Sequence, residues 1–137
     1  MKTAVVYYSK TGHSKKIANA IAESFGVQAL DLKTSPILDA VDMIFVVGGI
    51  YAGANDPRML TAIRSINASK VKKAVMITSC VSRKMKQEQA RQVLRQNGVE
   101  VVTDEYICQG NFLFFGLGHP NQTELNEAVL FARKIAQ

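Results

Sequence analysis

The sequence predicts an α/β fold: a doubly wound sheet of five parallel strands in the order 2-1-3-4-5, with helices on both faces. Three observations lead there. Short runs rich in Val, Ile and aromatic residues alternate with amphipathic stretches along the chain, and parallel strands need such helical crossovers. Val5-Val6 and Ile44-Phe45-Val46-Val47 are apolar at successive positions, as strands covered on both faces are. The 137 residues have room for one domain, 1–137, since two would each be too small to bury a core.

The strands are expected at residues 3–8, 27–32, 42–47, 73–79 and 99–107. Between them, apolar residues recur at helical spacing: Ile17, Ile21 and Phe25; Leu60, Ile63 and Ile66; Ala90, Val93 and Leu94; then Leu125, Ala128, Val129, Ala132 and Ile135. Gly26 stops the first helix, Pro57 opens the second in its first turn, and Asn97-Gly98 closes the third. Thr123 or Asn121 can cap the last. Residues 33–40 carry Pro36 and read as a loop or a single turn. In a sheet of this order a ligand binds beyond the carboxyl ends of strands 1 and 3.

Composition narrows the function classes. No stretch approaches the roughly 20 apolar residues that cross a bilayer, and the apolar run before Ser9 is too short for a signal peptide. Both point to a cytoplasmic protein without a membrane span. Cys80 and Cys108 form no metal or disulfide spacing and read as reduced thiols. The net charge of +6 raises nucleic acid as a partner. Against it, the basic residues are scattered and no nucleic-acid motif accompanies them. Their one denser run, Arg83, Lys84, Lys86, Arg91 and Arg95, reads first as a solvated helix face and second as a surface for an acidic protein.

The chemistry-bearing motif is Ser9-Lys10-Thr11-Gly12-His13-Ser14, where the first strand turns into the first helix. Taken alone, its hydroxyls would read as a helix cap. At the first strand-to-helix turn of a doubly wound sheet, backbone N–H groups and the helix dipole converge on one spot, and a phosphate fits there. The loop lacks the lysine-bearing P-loop pattern and the G-x-G-x-x-G of dinucleotide folds, which disfavours ATP and NAD.

With this loop the chain resembles the flavodoxin family, whose phosphate loop follows S/T-x-S/T-G-x-S/T. The resemblance extends to Gly48-Gly49 after strand 3, the turn after strand 4 and the stretch Gly116-Leu117-Gly118-His119-Pro120-Asn121. It implies a flavodoxin-like fold and one FMN, its phosphate held by Ser9, Lys10, Thr11, Gly12, His13 and Ser14. The flavin ring would lie between two further loops. The first is Gly49-Ile50-Tyr51-Ala52-Gly53, where the glycines allow close backbone approach and Tyr51 offers an aromatic face. Ala52 or Gly53 best matches the position that presents a carbonyl to flavin N5. For Tyr51 the plainer reading is a surface turn residue.

The second loop, Ser79-Cys80-Val81-Ser82, would line the pyrimidine edge. Flavodoxins commonly place a tyrosine here; Cys80 and Val81 stand in its place, leaving one flavin face less shielded. Cys80 reads as a small buried hydrophobe rather than a redox thiol. The segment from Phe112 to His119 is unusually apolar for a loop. It reads as packing into the core, with a crevice wall or docking patch as the alternative.

The function implied is an FMN-binding electron carrier that shuttles electrons between redox partner proteins. The alternative is an FMN-dependent oxidoreductase of the quinone or protoporphyrinogen oxidase type, although the latter carry a longer basic and aromatic insertion. A signalling receiver module would need acidic residues where this chain has Tyr8-Ser9 and Val47-Gly48. Family members are typically acidic, and the +6 charge here implies the reverse: a less negative second flavin potential, or a partner with an acidic docking face.

Overall fold

The computed structural model describes residues 1–10, 12–51, 53–80, 86–108 and 120–137. The elements run β1 (Thr3–Tyr7), α1 (His13–Phe25), β2 (Ala29–Asp31), β3 (Val41–Ile50), α2 (Pro57–Ile63), β4 (Val71–Cys80), α3 (Glu88–Gln96), β5 (Glu100–Cys108) and α4 (Gln122–Ile135). The strands form one parallel sheet in the order β2-β1-β3-β4-β5, as expected.

Alternation along each strand sends successive side chains to opposite faces, and here both faces are covered. Val6, Ile44, Val46 and Met76 pack with Met59 and Ile63 of α2 and with Ala90 and Leu94 of α3. Val5, Phe45, Val47 and Ile77 pack with Ile17 and Ile21 of α1 and with Leu125, Ala128 and Ala132 of α4. Val5, Val6 and all four residues from Ile44 to Val47 are fully buried, each aliphatic or aromatic side chain contributing about 1.5–3 kcal/mol.

The helix ends follow local chemistry. Gly26 ends α1 in the left-handed region (φ +69°), and its N–H donates to the carbonyls of Ala22 and Glu23. Asp56 caps α2, accepting from the Arg58 N–H, with Pro57 in the first turn. Asn121, not Thr123, caps α4. Its side chain accepts from the Glu124 N–H while the Glu124 carboxylate accepts from the Asn121 N–H, a reciprocal box three residues apart.

The strand ranges depart from those expected, and two of the departures, in β3 and β2, follow from local bonding. β3 runs through Gly48 and Gly49 to Ile50, because the ladder to β4 continues as far as Ile50 opposite Cys80. β2 keeps only three residues: the Val27 N–H donates to Ala22 O in closing α1, and Leu32 opens a 3-10 turn, Leu32–Thr34, capped by Asp31.

Candidate functional site

The sheet order makes the crevice. β1 and β3 are neighbours whose crossovers lie on opposite faces, so the chain parts between their carboxyl ends. Tyr7 pairs with Val47, and the Tyr8 N–H still donates to Val47 O at 3.0 Å. The loop after β1 therefore starts beside the end of β3. Ile50 pairs with Cys80 and Gly49 with Ser79, so the loops after β3 and β4 start side by side. The three loops singled out from the sequence share one edge of the sheet.

At the first loop the Ser9 hydroxyl accepts from the Gly12 N–H at 2.8 Å. Gly12 has φ +91° with open space where a Cβ would stand, a conformation that strains any other residue. α1 begins with no side-chain cap and no acidic residue in its first turn, so the helix dipole and the first N–H groups face the loop. Ser14, in that turn, is fully buried, and its Oγ has no hydrogen-bond partner among the described residues. Side chains of a first turn lean toward the helix N-terminus, and a buried orphan hydroxyl costs about 1–3 kcal/mol. Of these hydroxyls, Ser9 closes the loop's own turn and Ser14 makes no capping bond, so neither of the two caps α1.

Positive groups surround this start. Lys33 Nζ donates to Ser9 O at 2.9 Å, Lys16 Nζ lies 3.4 Å from Pro120 O, and Lys10 Nζ stands over the Tyr51 ring, 5.1 Å from its centre. His13 is half-buried; burial first, and then the charge of Lys16, push its imidazole below the ordinary histidine range. Thr11 lies outside the described residues.

After β3, Tyr51 and Ala54 exchange backbone hydrogen bonds of 2.9 and 3.1 Å, and Gly53 at φ +83° completes the turn. A Cβ on Gly49 would stand 2.7 Å from Tyr51 Cε2, so the tyrosine ring lies back over this glycine. A Cβ on Gly48 would meet Met59 Cε at 2.5 Å and Gln87 Oε1 at 2.6 Å. The glycine pair thus admits side chains of this chain: Gly49 is the floor under Tyr51, and Gly48 the gap filled from α2 and the start of α3. Ile50, Ser79 and Cys80 are buried at the strand ends. Ala52, Val81 and Ser82 lie outside the described residues, as does the whole apolar segment from Phe112 to His119.

Sequence reasoning missed a buried polar network beside these loops. Asn55 Nδ2 donates to Gly49 O at 3.3 Å and to Gln87 Oε1 at 3.0 Å. Gln87, fully buried, donates through Nε2 to Ile77 O at 2.9 Å and to Thr78 Oγ1 at 3.1 Å, and through its backbone N–H to Glu105 Oε2 at 2.9 Å. Thr78 Oγ1 also donates to Glu105 Oε2. Glu105 is paired with Arg91 at 2.8 Å, the two side chains 0% and 3% exposed. Arg91 therefore leaves the solvated basic run in which the sequence placed it; Lys86 and Arg95 are exposed, while Arg83 and Lys84 lie outside the described residues. The signal that could have found it is Arg91 at the spacing of Ala90 and Leu94, on the apolar side of its helix.

No described helix is long and apolar enough to cross a membrane, and no cluster of metal-ligating side chains occurs among the described residues. The flavodoxin domain is the family whose profile matches, over residues 4–113. No curated protein matches the sequence. Among solved structures, an archaeal flavodoxin superposes with a TM-score of 0.70 at 18% identity, covering 100% of both chains. Oxidised flavodoxin 2 from Bacillus cereus gives 0.69 at 16% identity, covering 99% of this chain and 98% of its own. An NAD(P)H:quinone oxidoreductase from Methanothermobacter marburgensis gives 0.64 at 13% identity, covering 100% and 96%. At such identities these likenesses establish the fold alone.

Proposed function

The chain belongs to the flavodoxin-domain family, and from that premise we propose that it holds one FMN at the carboxyl edge of its sheet and carries electrons between redox proteins. The observation that carries the reading is the start of α1: a helix N-terminus with no side-chain cap and a fully buried Ser14 hydroxyl, neither having a side-chain partner among the described residues. A phosphate group fits both features, as an acceptor for the hydroxyl and as an anion for the dipole. When bound, FMN supplies one- and two-electron transfer chemistry.

The protein's own part is to bind and tune. Ser9, Lys10, Thr11, Gly12, His13 and Ser14 take the phosphate through hydroxyls, backbone N–H groups and a nearby ammonium. Tyr51 offers its face to the ring, with Gly49 and Ile50 behind it and Ala52 or Gly53 supplying the carbonyl near N5. Ser79, Cys80 and Val81 line the opposite side. Lys10 and Lys33, placed at the crevice, set a positive rim for an acidic partner.

The test is the visible spectrum of the purified protein. A yellow protein that releases FMN on denaturation, or a colourless one that takes FMN up, is the expected result; a colourless protein that takes up none overturns the proposal. Steady turnover of a quinone by the loaded protein without a protein acceptor would replace the carrier role with the oxidoreductase one.

A further inference from the structure

Gln87 is a fully buried amide whose hydrogen bonds reach three separate parts of the chain. Its Oε1 takes Asn55 Nδ2, its Nε2 holds Ile77 O and Thr78 Oγ1, and its backbone N–H reaches Glu105. Those parts bear on the two loops that the proposed function assigns to the flavin ring. The first loop starts at Ile50 and ends at Asn55; the second starts at Cys80 and ends at Gln87. Their starts are locked together by the ladder, in which Ile50 pairs with Cys80. Their ends are locked together by the Asn55 to Gln87 bond at 3.0 Å.

We infer that Asn55 and Gln87 are positioning residues that set the separation of these two loops, and hence the width of the slot for the ring. The Glu105–Arg91 pair anchors them. β5 is irregular beside β4, the register jumping from Ala74 opposite Val101 to Met76 opposite Glu105. The carbonyls of Val102 and Thr103 in that irregular stretch accept from Arg91 Nη1 and Nη2, both at 3.0 Å. The same guanidinium holds Glu105 Oε1 at 2.8 Å, leaving Oε2 for Thr78 and the Gln87 N–H. A network satisfied at each of these groups resists displacement, because in a low-dielectric interior any broken member leaves a costly unpaired neighbour. Asn55 Nδ2 also donates to Gly49 O, so the same amide fixes the strand end beneath Tyr51.

The network lies on the β3 to β5 side and none of its bonds involves α1. It should govern the ring end and spare the phosphate end. This inference rests on the FMN reading, and the experiment separates the two. FMN affinity, the protein's thermal stabilisation by inorganic phosphate and the flavin midpoint potentials are measured for the native sequence, Gln87→Met, Asn55→Ser and the double variant. FMN affinity should fall about tenfold in each single variant, equivalent to about 1.4 kcal/mol, with the potentials displaced and the response to phosphate unchanged. The double variant should bind within about twofold of the weaker single one, the signature of a shared interaction. Should Gln87→Met fail to fold, Asn55→Ser decides the question by the same readouts. FMN affinity and potentials equal to those of the native sequence in a folded variant overturn the inference alone, as does an equal loss of FMN and phosphate binding. A native protein that takes up no FMN overturns the underlying reading and this inference with it.

Discussion

At Ser14 a residue that holds the fold can be told apart from one proposed to bind a ligand. Its buried hydroxyl has no partner among the described residues, a liability of about 1–3 kcal/mol in the protein without ligand. Ser14→Ala should therefore raise the melting temperature of the FMN-free protein while weakening FMN and phosphate binding about tenfold or more, the range for a hydrogen bond to a charged group. Opposite signs in these two measurements are the test, and an apo-protein destabilised by the change would show the hydroxyl to be structural. His13 makes a pH-dependent case. Its folded-state pKa lies below the ordinary histidine value of 6.5, through burial and then Lys16. Between the folded value and 6.5 the unfolded chain binds more protons than the folded one, so stability falls as the pH drops through that window. The FMN-free protein should lose stability between pH 7.5 and pH 5 by urea titration, and His13→Gln should flatten the slope. An unchanged slope would show that other groups carry it.

At the level of elements, the short α2 depends on its start. Seven residues are too few for a helix to persist on propensity, and Asp56 both caps it and forks onto Arg58, accepting from Nε at 3.2 Å and Nη2 at 3.0 Å. Those bonds hold the Asp56 carboxyl below the ordinary aspartate range. Asp56→Ala should cost about 1 kcal/mol in equilibrium unfolding, and a cost near zero would show that the Met59 and Ile63 contacts alone fix this helix. The joint of α3 and β5 is the stronger case. Arg91→Leu leaves Glu105 buried and unpaired, an expected loss of about 3–5 kcal/mol. Combining it with Glu105→Leu should recover a large part of that, as buried ion pairs replaced whole by apolar groups commonly do. A double variant as unstable as the single would locate the loss in the groups the pair also serves, the Val102 and Thr103 carbonyls on Arg91 and the Thr78 hydroxyl and Gln87 N–H on Glu105. Neither partner was legible as such in the sequence. Arg91 stands in a run of basic residues, which outweighs its spacing with Ala90 and Leu94 on the apolar side of the helix, and Glu105 sits in the edge strand, where a carboxylate reads as solvated. Only the irregularity of β5, which the sequence does not announce, brings them together.

Taken whole, the molecule was legible where one physical rule acts over many residues and illegible where a few distant residues meet. The switch of hydrophobic period gave the helix and strand order, and the doubly apolar runs at Val5-Val6 and Ile44–47 gave the central strands, because both follow from covering a sheet on two faces. The loop proposed for the phosphate was picked out by its place after β1, and it does start beside the end of β3. The Asn55 to Gln87 link was not legible, since nothing local marks two amides as partners across 32 positions. Net charge belongs to this scale too. With +6 overall and Lys10 over Tyr51, the surroundings of a bound flavin stabilise added negative charge, where an acidic family member opposes it. A unit charge about 10 Å away in water contributes roughly 0.4 kcal/mol. The second one-electron potential should thus be less negative than that of an acidic flavodoxin under matched conditions, and Lys10→Glu should lower it. Because salt screens surface charge, raising ionic strength should also drive the potential down and slow electron transfer to an acidic acceptor. A potential as low as that of acidic carriers, or one that climbs with salt, would show that local bonding rather than net charge governs the cofactor.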